Sequence, residues 1–391
     1  MGCCESRQGA SLGQASQNQA LYSSSIDESV GGPFAAVQRA AEAIRVSAGG
    51  VPPPGGLRDV RLTLLALPRD ASSVPEVHHQ DVEAVVSALN QQAESADVML
   101  TGLVLMRYLA QRQANQQKMA SASAVSLVLR AVHLHGANPT LQGVACDTLG
   151  NLLQEPSNAQ QFVQLRGVEA VLRVINSNMA HTRVMEAACF LLGNVASTEE
   201  GLAHIASNDG AEVALQVLQA QGPKDAELLR ELLFLVTNMA QAPALKAALA
   251  AGGAVDAVLG IMSEHKGAPD LQAMGCSALD NLCAPAAAEP GAPAPPRGFA
   301  PEAPIEAVLA ALRAHRSEPS VVRRASSAVA SMAAIRPALR ALDAEGAGAV
   351  EAVAAAGRAI TEARHDPHAL AQVPPSPPFV LSGHAASFTP Y

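Results

Sequence analysis

The sequence predicts an all-α protein built as a solenoid of stacked helical repeats. Three observations predict it. The composition is 49% hydrophobic but 3% aromatic with no Trp, so the core is aliphatic and the β-branched and aromatic runs of a sandwich or barrel are missing. Similar segments recur at a fixed period, which is the mark of a repeat architecture. Within each unit the apolar residues fall at helical spacing, as in Val184, Ala187, Ala188, Leu191, Leu192 and Val195.

The period rests on two independent marks. The segments VEAVVSAL from Val82, VSLVLRAV from Val125, VEAVLRVI from Val168, AEVALQVL from Ala211, VDAVLGIM from Val255 and IEAVLAAL from Ile305 align; the first four starts are 43 residues apart and the next is 44 on. A second series closes a later helix of each unit on Leu-Gly-Asn151, Leu-Gly-Asn194, Val-Thr-Asn238 and Leu-Asp-Asn281, spaced 43, 44 and 43. Both marks slip by one residue together, so one insertion lies before Asn238. Gly167, Gly210 and Gly253 precede successive apolar helices, where a left-handed turn would need no Cβ. No single unit can bury its apolar side alone, but stacked units can.

The chain opens Met1-Gly2-Cys3-Cys4-Glu5-Ser6, which fits the N-myristoylation pattern and sets two thiols beside the acylated glycine. One myristoyl chain binds membrane only marginally, so stable anchoring takes a second signal. Up to Gly32 the only basic residue is Arg7, against Glu5, Asp27 and Glu28, which leaves palmitoylation of Cys3, Cys4 or both. The expected address is the cytosolic face of a membrane. Residues 1–33 read as this lipidated tether, rich in Ser, Gln, Gly and Ala. Residues 34–81 read as a degenerate helical unit, 82–283 as the regular repeats, and 284–304 as a loop carrying seven prolines. Residues 305–372 read as a further repeat and cap, in which Ser331 takes the place of the asparagine. The tail 373–391 reads as disordered, with PPSPP as a weak P-x-x-P signal.

Other chemistry is poorly represented. No stretch of eighteen uncharged apolar residues appears, and a formal net charge of −9 argues against nucleic-acid binding. Phosphate-binding, nucleophile-elbow and zinc-protease motifs are absent, so no enzymatic activity, small-molecule substrate, metal or cofactor is expected. Cys146, Cys189 and Cys276 stand 21 residues after the starts of their own repeats, where Leu103, Leu233 and Ser326 stand in other units; they read as small core residues in a reducing compartment. The histidines read as loop or surface residues. Arg323-Arg324 with Arg313, Arg316 and Arg336 forms a local basic face.

The segments LQGVACDTLGNLL, VMEAACFLLGNVA and LQAMGCSALDNLC, with NAQQFVQLRGVEAVLRVI at 158–175, resemble the armadillo repeat: its third helix, and its short first helix, turn and second helix. The fold this implies is a right-handed armadillo-type α-solenoid. In that family the asparagines line a concave groove and hold the backbone of an extended partner, so the resemblance assigns Asn151, Asn194, Asn238 and Asn281 to a peptide groove, with Phe190 and Phe234 four residues before two of them as pocket walls. The residues themselves leave a second role open, since Asn near a helix end can also bond neighbouring backbone and hold the turn. Importin-α proteins carry Trp at the position four before; this chain has Asp147 and Ser277 in the other two units and no Trp, which argues against recognition of basic nuclear-localisation peptides. Joined to the acylatable N-terminus, the repeats resemble the lipid-anchored armadillo proteins, namely the yeast vacuolar armadillo anchor and the apicomplexan armadillo-repeats-only proteins. That resemblance implies a membrane-held scaffold that recruits protein partners. The alternative is a soluble armadillo adaptor in transport or in cytoskeletal or flagellar assembly.

Overall fold

The computed structural model describes residues 32–48, 56–68, 70, 72–221, 225–283 and 302–333. Gly2, Cys3 and Cys4, most of the Pro-rich segment, the cap beyond 333 and the C-terminal tail lie outside the described residues. The described residues form eighteen α-helices and no strand. They divide between two compact units, the described residues up to Phe162 and those from Val163 on.

The first unit begins with α1 (Pro33–Ala48) and α2 (Gly56–Leu65), which pack on each other and on α4. Arg61 of α2 reaches the carbonyl of Asp97 at 3.2 Å and Thr101 Oγ1 at 3.0 Å. Then come α3 (His79–Gln91) and α4 (Ala96–Leu109), and the three-helix repeat α5 (Gln113–Ser121), α6 (Ala124–Leu134) and α7 (Pro139–Leu152); α8 (Pro156–Gln164) follows. The second unit continues with α9 (Gly167–Ser177) and α10 (Thr182–Val195), then α11 (Glu199–Ser207), α12 (Gly210–Gln221) and α13 (Ala226–Met239). Next are α14 (Pro243–Ala251), α15 (Ala254–Glu264) and α16 (Pro269–Cys283), and last α17 (Glu302–Ala314) and α18 (Pro319–Ala333). α17 starts three residues inside the segment read as loop; Pro304 sits in its first turn, where a missing N–H costs nothing.

Within each unit, like packs on like. Second helices meet second helices (α3 on α6; α9, α12, α15 and α17 in succession), and third helices meet third helices (α4 on α7; α10, α13, α16 and α18 in succession). The third helices are apolar nearly all round: α10 buries Val184, Met185, Ala187 to Gly193 and Val195. A helix of that kind is stable only between neighbours.

The glycine expectation holds at one position out of three. The left-handed residue before the second helix is Ser123, Arg166 and Asp209 at φ 59°, 57° and 56°, and then Gly253 at 85°. Gly167 and Gly210 are the first residues of α9 and α12, one place later, and the equivalent residues are Ala124 and Ala254. They are small because that position is buried against the preceding helix. The insertion hides the shift: α12 has 12 residues where α9 has 11, so Gly253 is in register with Asp209 and not with Gly210.

Large rings are few because the helix layers approach closely. A Cβ built on Gly193 of α10 would fall inside van der Waals contact with Phe234 of α13. Gly193→Ala therefore gains helix propensity but overpacks this contact, and it is expected to destabilise the protein by about 1–2 kcal/mol. A lowered urea midpoint at unchanged m-value checks it; an unchanged or raised midpoint refutes it.

Candidate functional site

Three of the third helices, α4, α10 and α13, end in the same way. The amide of Ala110 bonds Met106 O at 2.8 Å, but the next amide, Gln111, bonds Tyr108 O at 3.3 Å, so the turn passes over the carbonyl of Arg107. In α10, Ala196 takes Leu192 O and Ser197 takes Asn194 O, passing over Gly193. In α13, Ala240 takes Val236 O and Gln241 takes Asn238 O, passing over Thr237. This switch from four-residue to three-residue bonds is common at helix ends and leaves an acceptor to be satisfied.

The asparagine of the next repeat satisfies it. Asn151 donates Nδ2 to Arg107 O at 3.2 Å in the first unit; in the second, Asn238 donates to Gly193 O at 2.9 Å and Asn281 to Thr237 O at 2.7 Å. Asn194 holds the equivalent place on α10, half-buried, with its carbonyl accepting from Ser197. Thus the donor half of at least three carboxamides joins one repeat to the one before it. Asn151, Asn238 and Asn281, which the resemblance assigns to a groove, therefore hold a structural role; the oxygens of Asn151 and Asn281 accept no hydrogen bond from the described residues, and that of Asn238 accepts from Gln241 at 3.4 Å.

Phe190 and Phe234 stand four residues before Asn194 and Asn238 as expected, but they are only 6% and 4% exposed. Phe234 fills the space over Gly193, so it serves as packing between α10 and α13 and its ring does not line an open pocket. The same position in other repeats is polar and also bridges helices. Asp147 pairs with Arg107 of α4 at 3.0 Å, both side chains largely shielded, and Ser277 accepts from Arg324 of α18 at 2.6 Å. Next to Asn281, Asp280 accepts from Ser327 of α18 at 2.8 Å. At the asparagine position of α4 stands Tyr108, buried, whose hydroxyl finds no partner among the described residues.

Several buried polar residues were not singled out from the sequence. Gln142 donates to Val132 O and His135 O at 2.8 and 3.0 Å, and Gln272 to Met262 O and His265 O, each at 2.9 Å. These two glutamines tie a third helix to the end of its own second helix. His135 and His315 contact Ala93 O and Lys266 O in the turns that follow the preceding second helices, so they are joints and not only surface residues. Asn115 of α5 grips an extended stretch of the chain itself, accepting from Val77 N at 3.1 Å and donating to Pro75 O at 3.0 Å. The signal that could have found the glutamines is recurrence at the repeat register, three units apart.

Cys146, Cys189, Cys276 and Cys283 are buried and form no disulfide among the described residues. Burial pushes the thiols of Cys276 and Cys283 up to about 12. Among the described residues no group of three or more His, Cys, Asp or Glu has the arrangement of a metal site. Among the described residues no single helix is long and apolar enough to cross a membrane; α14 and α15 pass that test only as a pair, and they are bent by 69°.

Asn281→Ala is expected to cost about 1–3 kcal/mol, because it strands the Thr237 carbonyl, and Asn281→Asp at least as much, because a carboxylate would face that carbonyl. Urea unfolding of both variants checks this; wild-type stability for Asn281→Asp refutes the donor assignment. The thiols make a separate expectation. A thiol raised from 9.0 to about 12 on folding holds its proton more tightly in the native state, so its stabilising contribution is complete below pH 9 and is lost as pH rises toward 12. At pH 8, Cys276 and Cys283 should resist alkylation until the protein unfolds. Peptide mapping after iodoacetamide treatment with and without urea measures it, and rapid native labelling of either thiol contradicts it.

Residues 87–226 match the family model of the GAC ARM domain. A crystal structure of an engineered protein is similar to this chain with a TM-score of 0.52 at 19% identity, over 65% of this chain and 97% of that chain. No curated protein matches the chain. The family match supports an armadillo-repeat relationship, and the helix order and stacking agree with it: the chain folds as an all-α, armadillo-type solenoid.

Proposed function

We propose that this protein is an interaction scaffold held on the cytosolic face of a membrane by an acylated N-terminus, with protein partners bound along its third helices. The observation that carries the scaffold reading is the stacking of third helices, each bringing a half-buried polar residue to the same edge: Asn194, Asn238 and Asn281 in the second unit, Asn151 in the first. An ARM-type domain is in general a surface for protein partners.

The bonded amide nitrogens fix the orientation of these carboxamides. Each spends one Nδ2 hydrogen on the previous repeat, so it can address a partner with its oxygen and its second N–H. An extended segment would therefore present backbone N–H groups to the oxygens and carbonyls to the remaining N–H groups, with Asp280 and Ser277 beside them. Phe190 and Phe234 would act as the floor under such a segment and not as deep pockets.

Support for the membrane reading comes from the sequence Met1-Gly2-Cys3-Cys4-Glu5-Ser6. A single acyl chain would bind reversibly, and palmitate on Cys3 or Cys4 would make residence stable. The vacuolar and apicomplexan proteins that the chain resembles set the expected arrangement, a solenoid on an organelle surface that recruits adaptors.

Expression in the native cell of wild type, Gly2→Ala, and Asn194→Ala with Asn238→Ala, followed by fractionation and pull-down, tests both halves. Gly2→Ala should move from the membrane to the soluble fraction without loss of thermal stability, and unchanged fractionation sinks the anchor. The asparagine double variant should lose partners while keeping its membrane address. Partners recovered in full with that variant would assign the asparagines to the helix joint alone.

A further inference from the structure

The last described helix, α18, carries the run Arg323-Arg324-Ala325-Ser326-Ser327. Ser326 occupies the core position of its repeat, the place held by Cys146, Cys189 and Cys276 in other units. It is 1% exposed, and its hydroxyl has no hydrogen-bond partner among the described residues. A buried, unpartnered hydroxyl weakens a core and needs a reason. Polar contacts toward α16 come instead from the outer side of the helix, through Arg324 to Ser277 and Ser327 to Asp280. The apolar hold of α18 uses mainly small residues, Val321, Ala325, Ala328 and Val329, with Met332. A helix whose apolar hold rests on small side chains buries little area per residue and is among the parts of a stacked array that open locally.

We propose that Ser326 is a phosphorylation site for an arginine-directed protein kinase, and that its phosphate keeps α18 from packing back onto α16 and α17. In the opened segment Arg323 and Arg324 lie three and two residues before the acceptor, where an acidic kinase surface reads them as paired cations. Ser326 Oγ attacks the γ-phosphorus of the kinase-bound nucleoside triphosphate. The bond from that phosphorus to the nucleoside diphosphate breaks, the hydroxyl proton passes to the kinase's base, and nothing is oxidised or reduced. The product carries a charge of about −2 at a position that is closed to water when α18 is docked. Burying it there is far costlier than leaving the helix open. Serine fits this position where cysteine would not, because it accepts the phosphoryl group and is still small enough to pack.

The test uses the full-length chain with the catalytic subunit of cyclic-AMP-dependent protein kinase and MgATP, sites mapped by peptide mass spectrometry, and hydrogen exchange over 319–333. Phosphate should appear on Ser326, vanish in Ser326→Ala, and form roughly tenfold more slowly in Arg323→Ala, whose exchange should match wild type. Ser326→Ala should itself slow exchange across α18, since it removes the stranded hydroxyl. The phosphorylated chain should exchange there roughly a hundredfold faster than the unmodified one. Label confined to Ser327, no label on the native chain under conditions that label a 319–333 peptide, or unchanged exchange after phosphorylation would each overturn the proposal.

Discussion

The carbonyl that α4, α10 and α13 each pass over in the last turn is the constraint from which much of this structure follows. At Arg107, Gly193 and Thr237 the backbone tightens and one acceptor is left facing the next repeat. A carboxamide nitrogen from Asn151, Asn238 or Asn281 reaches it within ordinary hydrogen-bonding distance. The hydrophobic faces supply most of the free energy of stacking, but they are slippery: Ala, Leu and Val surfaces fit one another in several offsets. A directional bond at the rim selects one offset, which is the specificity that buried polar groups contribute best. Close approach then follows, with Gly193 under Phe234 as its clearest instance.

That constraint also decides what this edge of the helices can offer. Asn115 shows that a carboxamide can donate twice, to Leu109 O and Pro75 O, while its oxygen accepts from Val77 N. The third-helix asparagines spend one N–H on the joint and keep the oxygen and a second N–H. Charged neighbours are similarly engaged, Asp147 with Arg107 and Asp280 with Ser327. A partner therefore meets a surface whose polar groups are already oriented, with little side-chain entropy left to lose on binding.

The repeat period, the helical class and the asparagine series were legible in the sequence because each repeats, and repetition separates a structural demand from chance. What escaped were features that depend on direction. Gly167 and Gly253 look equivalent in a string of letters, yet one begins a helix and the other supplies the left-handed turn before it, since a single inserted residue moved the register between them. Phe234 shares a helical face with Asn238, but spacing alone does not tell whether a ring on that face is covered by the next helix. Gln142, Gln272, His135 and His315 read as surface residues by type; their burial or bonding comes from carbonyls at helix ends, which the sequence does not display. Residues 1–31, with the acylation motif, were readable only as sequence.

The joints also set where the chain can change length. The three carboxamide bonds connect residues 44, 45 and 44 apart, and the longer span is the one that contains the extra residue of α12. The insertion is thus absorbed between two joints, and the following third helix docks as its predecessors do. Each joint acts as a reset, so an error of register cannot accumulate along the array. A residue gained between two joints, as in α12, therefore leaves the stacking offset of the third helices unchanged.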